Sequence, residues 1–512
     1  MTRSRSRRLA MHARLFVLPN VFLLATCAVQ QAPEASVEAD RGAALYAHHC
    51  AVCHGPRGDA DTLAADLLRP RPTAFRQGLF KLVSTQNGMP TEADIVQTLR
   101  RGMPGSTMMS WSWMPESDLQ LLAHEVRRLA VRGRAESIHR TAAIAGRKLT
   151  MEQATATAER QLLPGSPVDV GQPAARTPAT LAEGERLYRL HCASCHGADG
   201  RGLPALGDWP TDGTWLLPRD FTAGYLRGAA THRDIVCRIR AGMPGAHMPP
   251  TLLSTDETDA LADYVRGLLP EGASDHHTQW RRTVRVPRSA ALPVTDDDDA
   301  FAQVDAIRLP LAPLWWRPEA CSEVLLRVAH DGNSIVVRLE WSDGSRDDLA
   351  QPDGSMGDGA AIQFARAVDP PLFAMGSRDQ PVNVWRWHAF DPKETAGMTD
   401  LVAPNRGLPH RGLDVQIGSP LPDPRAESIQ LGGVQTVSGN TGTGLPLQVQ
   451  ASWHSGRWTA TFRRSLRARD EREVDLTSPG PVLFALAVWD GRIDKHAGSK
   501  AITTWHVLEL QR

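Results

Sequence analysis

Two short stretches carry residue types that can hold a redox cofactor. Cys50-Ala51-Val52-Cys53-His54 and Cys192-Ala193-Ser194-Cys195-His196 both read C-x-x-C-H. Thiols three residues apart can each form a thioether to one edge of a haem, and the adjoining histidine then lies under the iron. Two chance matches are not credible, and a zinc or redox C-x-x-C pair is the weak competitor. Four of the seven cysteines are thereby assigned as covalent haem c attachments, with His54 and His196 as iron ligands.

Both stretches occupy the same place in an internal repeat, residues 36–131 and 178–270. Gly42-x-x-Leu45-Tyr46-x-x-His49-Cys50 matches Gly184-x-x-Leu187-Tyr188-x-x-His191-Cys192. Downstream, Asp94-Ile95-Val96 and Gly102-Met103-Pro104-Gly105 match Asp234-Ile235-Val236 and Gly242-Met243-Pro244-Gly245. Thr180-x-x-Glu183 predicts a capping box that opens a helix running into Cys192, and Ser254-x-x-Glu257 predicts another. Leu261, Val265 and Leu268 lie on one face of that second helix, and Leu119, Leu122, Val126 and Leu129 form the matching stripe in the first copy. Each copy is small, so a haem filling much of its core is a reasonable expectation.

The two copies resemble class I c-type cytochromes. In that family a methionine on a loop before the last helix supplies the sixth iron ligand, within a G-M-P-G-x-x-M-P pattern. The resemblance places Met108 on the first iron and Met248 on the second. Met109 stands where the pattern has proline, and His247 is the rival in the second copy. A thioether favours Fe(II), and a filled coordination sphere favours electron transfer over substrate chemistry. Residues 132–177 join the copies and read as a partly helical linker.

From residue 278 the pattern turns to strands. Val324, Leu326 and Val328 alternate before the Asp331-Gly332-Asn333 turn, and Ile335, Val337, Leu339 and Trp341 alternate after it. Leu447, Val449, Ala451 and Trp453 lead through Ser455-Gly456 into Trp458, Ala460 and Phe462, and Val482, Phe484, Leu486 and Val488 form a further run. Many short strands with Gly, Asp and Pro turns argue for a β-sandwich over 278–512. The Gly/Pro-rich segment 391–445 reads as an insertion made mostly of loops. The fold class is therefore multidomain: two all-α cytochrome c domains followed by an all-β sandwich.

The sandwich resembles the haem b-binding domain of ethylbenzene dehydrogenase γ-subunits, of the dimethyl sulfoxide reductase family. The likeness rests on Asp358-Gly359-Ala360-Ala361-Ile362-Gln363-Phe364, Phe373-Ala374-Met375-Gly376, Pro381-Val382-Asn383-Val384-Trp385-Arg386-Trp387, Val488-Trp489-Asp490-Gly491 and Gly498-Ser499-Lys500-Ala501-Ile502-Thr503-Thr504-Trp505. It implies one non-covalent haem b, with Met375 and Lys500 on its iron and Trp385 and Trp387 in its pocket. A lysine amine ligates only when neutral, and burial in an apolar pocket favours that form. A core methionine with a surface lysine is the competing reading, and Lys495, His388 and His496 are rival ligands.

Charge is balanced at 57 basic and 57 acidic residues, which gives no basic face for nucleic acid. Only five of the basic residues are lysines: 81, 148, 393, 495 and 500. Arginines up to Arg14 precede the apolar run Leu15–Ala25, the pattern of a secretory signal over residues 1–27. Leu24-Ala25-Thr26-Cys27 resembles a lipobox, so a periplasmic protein with a lipid anchor at Cys27 and one without it stand as equal expectations. Cys237 and Cys321 remain, and a disulfide between them is a minor option.

Together these features predict an exported three-haem electron-transfer protein, not an enzyme. The resemblance to ethylbenzene dehydrogenase γ-subunits implies the catalytic and iron–sulfur subunits of a molybdenum enzyme as partners, and the two c haems would serve another redox carrier such as a small cytochrome or a quinol-oxidising membrane complex. Two other readings stay open: a dihaem cytochrome whose sandwich binds carbohydrate through exposed tryptophans, and a dihaem peroxidase with an open iron site.

Overall fold

In a computed structural model the described residues are 34–171, 173, 175–202, 218–224, 226–271, 278–290, 292, 301–316, 320–348, 357–366, 370, 375–377, 379–389, 426–431, 437–439, 447–492 and 500–511. The signal segment, Cys27, Lys495, His496 and most of the 391–445 insertion lie outside them.

The amino-terminal half is helical. The first repeat contains α1 (Glu34–His49), α2 (Ala51–His54), α3 (Leu63–Leu67), α4 (Glu92–Arg101) and α5 (Glu116–Ile144); α6 (Met151–Gln161) follows. The second contains α7 (Pro178–His191), α8 (Ala193–His196), α9 (His232–Ala241) and α10 (Thr255–Gly267). Gly42 lets α1 approach α5, because an added Cβ would meet Leu121 O at 3.0 Å; Gly184 does the same for α7 against Ala260 of α10. The predicted stripes are buried: Leu119, Leu122, Val126 and Leu129 on α5, and Leu261 and Val265 on α10, share one core cluster spanning both repeats.

Two local expectations need correction. Ser254 caps α10 with Glu257 as read, but α7 starts a turn earlier than expected, with Thr177 as cap and Thr180 as its capping-box partner. Pro178 at the first helical position fixes that start, and Glu183 instead pairs with Arg186. The 132–177 stretch is also more ordered than a linker: α5 runs on to Ile144, and Ala135 packs on Ala154 and Ala158 of α6.

The carboxy-terminal half is β-rich. Its strands are β1 (Thr283–Val286), β2 (Ile307–Pro310), β3 (Ala312–Pro313), β4 (Glu323–His330), β5 (Ser334–Ser342), β6 (Gly359–Ala365), β7 (Val382–His388), β8 (Ala426–Leu431), β9 (Val437–Gly439), β10 (Gln448–His454), β11 (Arg457–Ser465), β12 (Val482–Trp489), β13 (Ala501–Ile502) and β14 (His506–Leu510). One sheet has the order β1-β14-β12-β6-β7-β8-β9, with β13 and β3 joined to β12; the other runs β10-β11-β5-β4-β2. Val337, Leu339, Phe462, Ile362, Phe484 and Trp385 meet in a core drawn from both sheets. The 391–445 segment supplies β8 and β9, so it is not loops alone.

The larger sheet is apolar on both faces. All eight residues of β12 are buried, the pattern of a strand covered on each side. Its second face carries Ala361, Ala365, Val384, Ala485, Ala487, Ile502 and Trp505, and Leu68 of the first repeat packs into that cluster. Cys237 and Cys321 are both unbridged.

Candidate functional site

The first site is built by α1, α2 and the loop before α5. Tyr46 donates its hydroxyl to Gly55 O at 2.8 Å and so ties the C-x-x-C-H turn back onto α1. His54 Nδ1 lies 2.9 Å from Thr73 O. A carbonyl can only accept, so Nδ1 carries the hydrogen and Nε2 keeps its lone pair for a metal. Phe75 stacks on the imidazole at 4.5 Å between centroids. Burial brings the His54 pKa down to about 4, which keeps it in the neutral, ligating form. Cys50, Cys53, His54, Met103 and Met108 line one cavity. Two thiols, a neutral imidazole and a thioether around an apolar cavity fit a covalently held haem.

The second repeat reproduces this construction. Tyr188 donates to Gly197 O at 2.8 Å, His196 Nδ1 lies 3.1 Å from Arg219 O, and Phe221 stacks at 4.6 Å. The methionine loops match too. Met103 N–H donates to Met108 O at 2.8 Å, and Met243 N–H donates to Met248 O at 2.8 Å. His247 is exposed, at φ +57°, whereas Met248 is partly buried. Met109, 5% exposed, also lines the first cavity, and its sulfur accepts a hydrogen bond from Thr504 of the two-sheet half.

The third site lies on the second face of the larger sheet. Lys500 Nζ and Met375 Sδ are 3.7 Å apart, and the Nζ sits 5.4 Å from the centroid of Trp489. Met375 has φ +53°, a conformation disfavoured for a non-glycine residue. Such strain is held only where surroundings enforce it, and here it accompanies the close approach to Lys500. Burial, with the charge of Arg386 second, lowers the Lys500 pKa to about 8 and so eases formation of the neutral amine. The alanines at 361, 365, 485 and 487 keep this face shallow. A soft sulfur and an easily neutralised amine over a shallow apolar face fit a haem b.

Trp385 and Trp387 lie elsewhere. Side chains alternate along β7, so Val382 and Val384 face the Met375 side while both tryptophans enter the core between the sheets. They are 0% and 3% exposed, which removes them from the pocket and also from any sugar-stacking surface. His388 is buried near Trp489, 6.1 Å between ring centroids.

Residues not singled out in the sequence join these sites. Leu314 N–H donates to Lys500 O at 2.8 Å, Arg69 N–H donates to Leu314 O at 2.8 Å, and Cys53 packs against the same cluster as Met375. Gly245 N–H donates to Phe80 O at 2.9 Å, linking the Met243–Met248 loop of the second repeat to a wall of the first cavity. Arg71, Lys81 and Arg227 also line that cavity, the last contributed by the second repeat. Burial, then the charge of Arg227, lowers the Lys81 pKa to about 7.

Three family patterns match the chain: Cytochrome C oxidase, cbb3-type, subunit III over 37–124, Cytochrome c over 181–269, and Ethylbenzene dehydrogenase over 432–501. The chain thus carries two cytochrome c domains and an ethylbenzene dehydrogenase γ-subunit-like domain. It is 25% identical over 220 residues to ORF7 of Haloferax mediterranei, described as a respiratory nitrate reductase heme subunit, covering 42% of this chain and 67% of that one. It is 25% identical over 186 residues to the chlorate reductase subunit gamma of Ideonella dechloratans, covering 36% and 63%. Among solved structures, the reducing HAO-like protein complex of Kuenenia stuttgartiensis is 28% identical with a TM-score of 0.35, covering 45% of this chain and 96% of that one.

Proposed function

We propose that the chain is a three-haem electron-transfer subunit: two haem c groups on Cys50/Cys53 and Cys192/Cys195, and one haem b on the face beside Lys500. Bound haem supplies reversible one-electron chemistry. His54 with Met108 and His196 with Met248 would hold the two c-type irons, and Met375 with Lys500 would hold the b-type iron. Thr73 O and Arg219 O orient the two histidines and raise their basicity. Arg71 and Arg227, which line the first cavity, would offer cationic partners to the carboxylates of the first haem.

The observation that carries this reading is the convergence of Lys500 and Met375 next to the first C-x-x-C-H domain, through Leu314. The first cytochrome c domain then bridges the haem b domain and the second cytochrome c domain, although it comes first in sequence. Electrons would pass from haem b through the first haem c to the second, or the reverse. Cys195 is exposed, so exchange with another redox carrier is assigned to the second haem. The haem b domain would dock on a molybdenum enzyme through its iron–sulfur subunit, as the resemblance to ethylbenzene dehydrogenase γ-subunits implies; the relatives named above are themselves a nitrate reductase heme subunit and a chlorate reductase subunit. No helix among the described residues is long and apolar enough to cross a membrane, and we place the protein in the periplasm, with lipidation at Cys27 to be decided by mass spectrometry.

An optical redox titration of the purified protein tests this reading. It should resolve three one-electron components, two with c-type and one with b-type α bands. A titration with only the two c-type components contradicts it.

A further inference from the structure

Four aspartates, none of them assigned to haem, converge at one end of the two-sheet domain. Asp343 follows the end of β5, Asp347 lies in the loop after it, Asp358 opens β6 and Asp490 follows β12. One carboxylate oxygen from each lies within 4.8 Å of the others. Asp343 is 3% exposed and Asp358 0%. Asp358 is held by three donors: Gly491 N–H at 2.8 Å on Oδ1, and Asp347 N–H at 2.7 Å and Trp458 Nε1–H at 2.8 Å on Oδ2.

Asp343 is different. One oxygen accepts from Ser345 N–H at 3.1 Å, while its Oδ2 is buried with no hydrogen-bond partner. Among the described residues no arginine, lysine or histidine forms an ion pair with Asp343, Asp347 or Asp358. A buried carboxylate oxygen facing other carboxylates is unfavourable unless a cation or a proton joins it. Consistently, burial and the neighbouring Asp358 and Asp490 push the Asp343 pKa up to about 8.

We propose that Asp343, Asp347, Asp358 and Asp490 bind one Ca²⁺ ion. An all-oxygen, carboxylate-rich set drawn from several loops suits calcium, which accepts about six to eight oxygens in flexible geometry. Magnesium requires a tighter octahedron and keeps more of its water. The ion would clamp the end of β5, the entry to β6 and the exit of β12. Asp490 adjoins Trp489, over which Lys500 sits, so the clamp would also steady the start of the segment that leads to Lys500. The site itself does not depend on haem b being present.

The test is calorimetric titration of Ca²⁺ into the chelator-treated full chain, alongside Tb³⁺ emission sensitised by Trp458. One Ca²⁺ per chain should bind, displace Tb³⁺ and raise the unfolding temperature. Asp343→Asn, and separately the half-buried Asp347→Asn, should weaken Ca²⁺ binding by about tenfold or more. Absence of saturable Ca²⁺ binding to the wild-type chain would overturn the assignment. So would undiminished binding by folded Asp347→Asn, or tighter binding of Mg²⁺ than of Ca²⁺.

Discussion

The hydroxyl of Thr504 donates to the sulfur of Met109 at 3.1 Å, carrying the carboxy-terminal domain into the ligand loop of the first cytochrome c domain. The contact is buried on both sides. Met108 and Met109 both line the first cavity, and Met109 in addition makes this contact with the other half of the chain.

Met108→Ala should therefore open the first c-type iron, seen as CO binding and loss of the methionine–iron charge-transfer band for one haem of two. Met109→Leu should leave both features intact and lower stability by about 1 kcal/mol through loss of the Thr504 hydrogen bond. The reverse pattern would move the ligand to Met109.

The two cytochrome c domains meet closely at Gly245, where an added Cβ would lie 3.0 Å from Leu79 O and from the Phe80 carbonyl carbon. Backbone cannot yield as a flexible side chain can. Gly245→Val should destabilise the chain by about 1–3 kcal/mol in thermal or urea unfolding. It should also slow electron exchange between the two c haems in rapid-mixing experiments. Unchanged stability would show that this contact does not join the domains.

His506 is 1% exposed and its Nδ1 accepts from Arg282 N–H at 3.2 Å, which requires the neutral ring. Burial, then Arg282 and Arg281, lowers its pKa to about 3 from the ordinary 6.5. The unfolded chain therefore binds a proton below pH 6.5 that the folded chain refuses until about pH 3. Stability from this group is full above 6.5 and is lost as pH falls between those values. Buried His388, lowered in the same direction, adds the same sign. Urea midpoints for wild type and His506→Asn should diverge least in acid and most near neutrality; parallel pH profiles would contradict the assignment.

Much of this arrangement is legible in the sequence because it is local. C-x-x-C-H, the G-M-P-G loops and the Ser254 cap are set by neighbours within one turn or one loop, and the duplication reads each of them twice. The alternation around Trp341 and Phe462 gives the β class for the same reason. What the sequence hides is non-local. Nothing near Arg69 announces Leu314, and nothing near Gly245 announces Phe80. Trp385 and Trp387 sit in a matching motif, yet the two-residue period of β7 turns them toward the other sheet. Lys81 left one trace: in a chain with five lysines, one beside Phe80 was worth asking about. Thr180 offers a cap pattern as good as that of Thr177 one turn later, and Pro178 at the first helical position decides between them.

The central claim is that one chain holds two covalent haems and one removable haem. A pyridine haemochrome spectrum, with haem counted per chain before and after acid–acetone extraction, tests it directly. Three haems before and two after are expected, the extracted one of b type. In Lys500→Ala only that third haem should be lost or spectrally altered, with both c-type haems unchanged. Two covalent haems and nothing extractable from fully loaded protein would contradict the Met375–Lys500 site, and with it the three-centre relay.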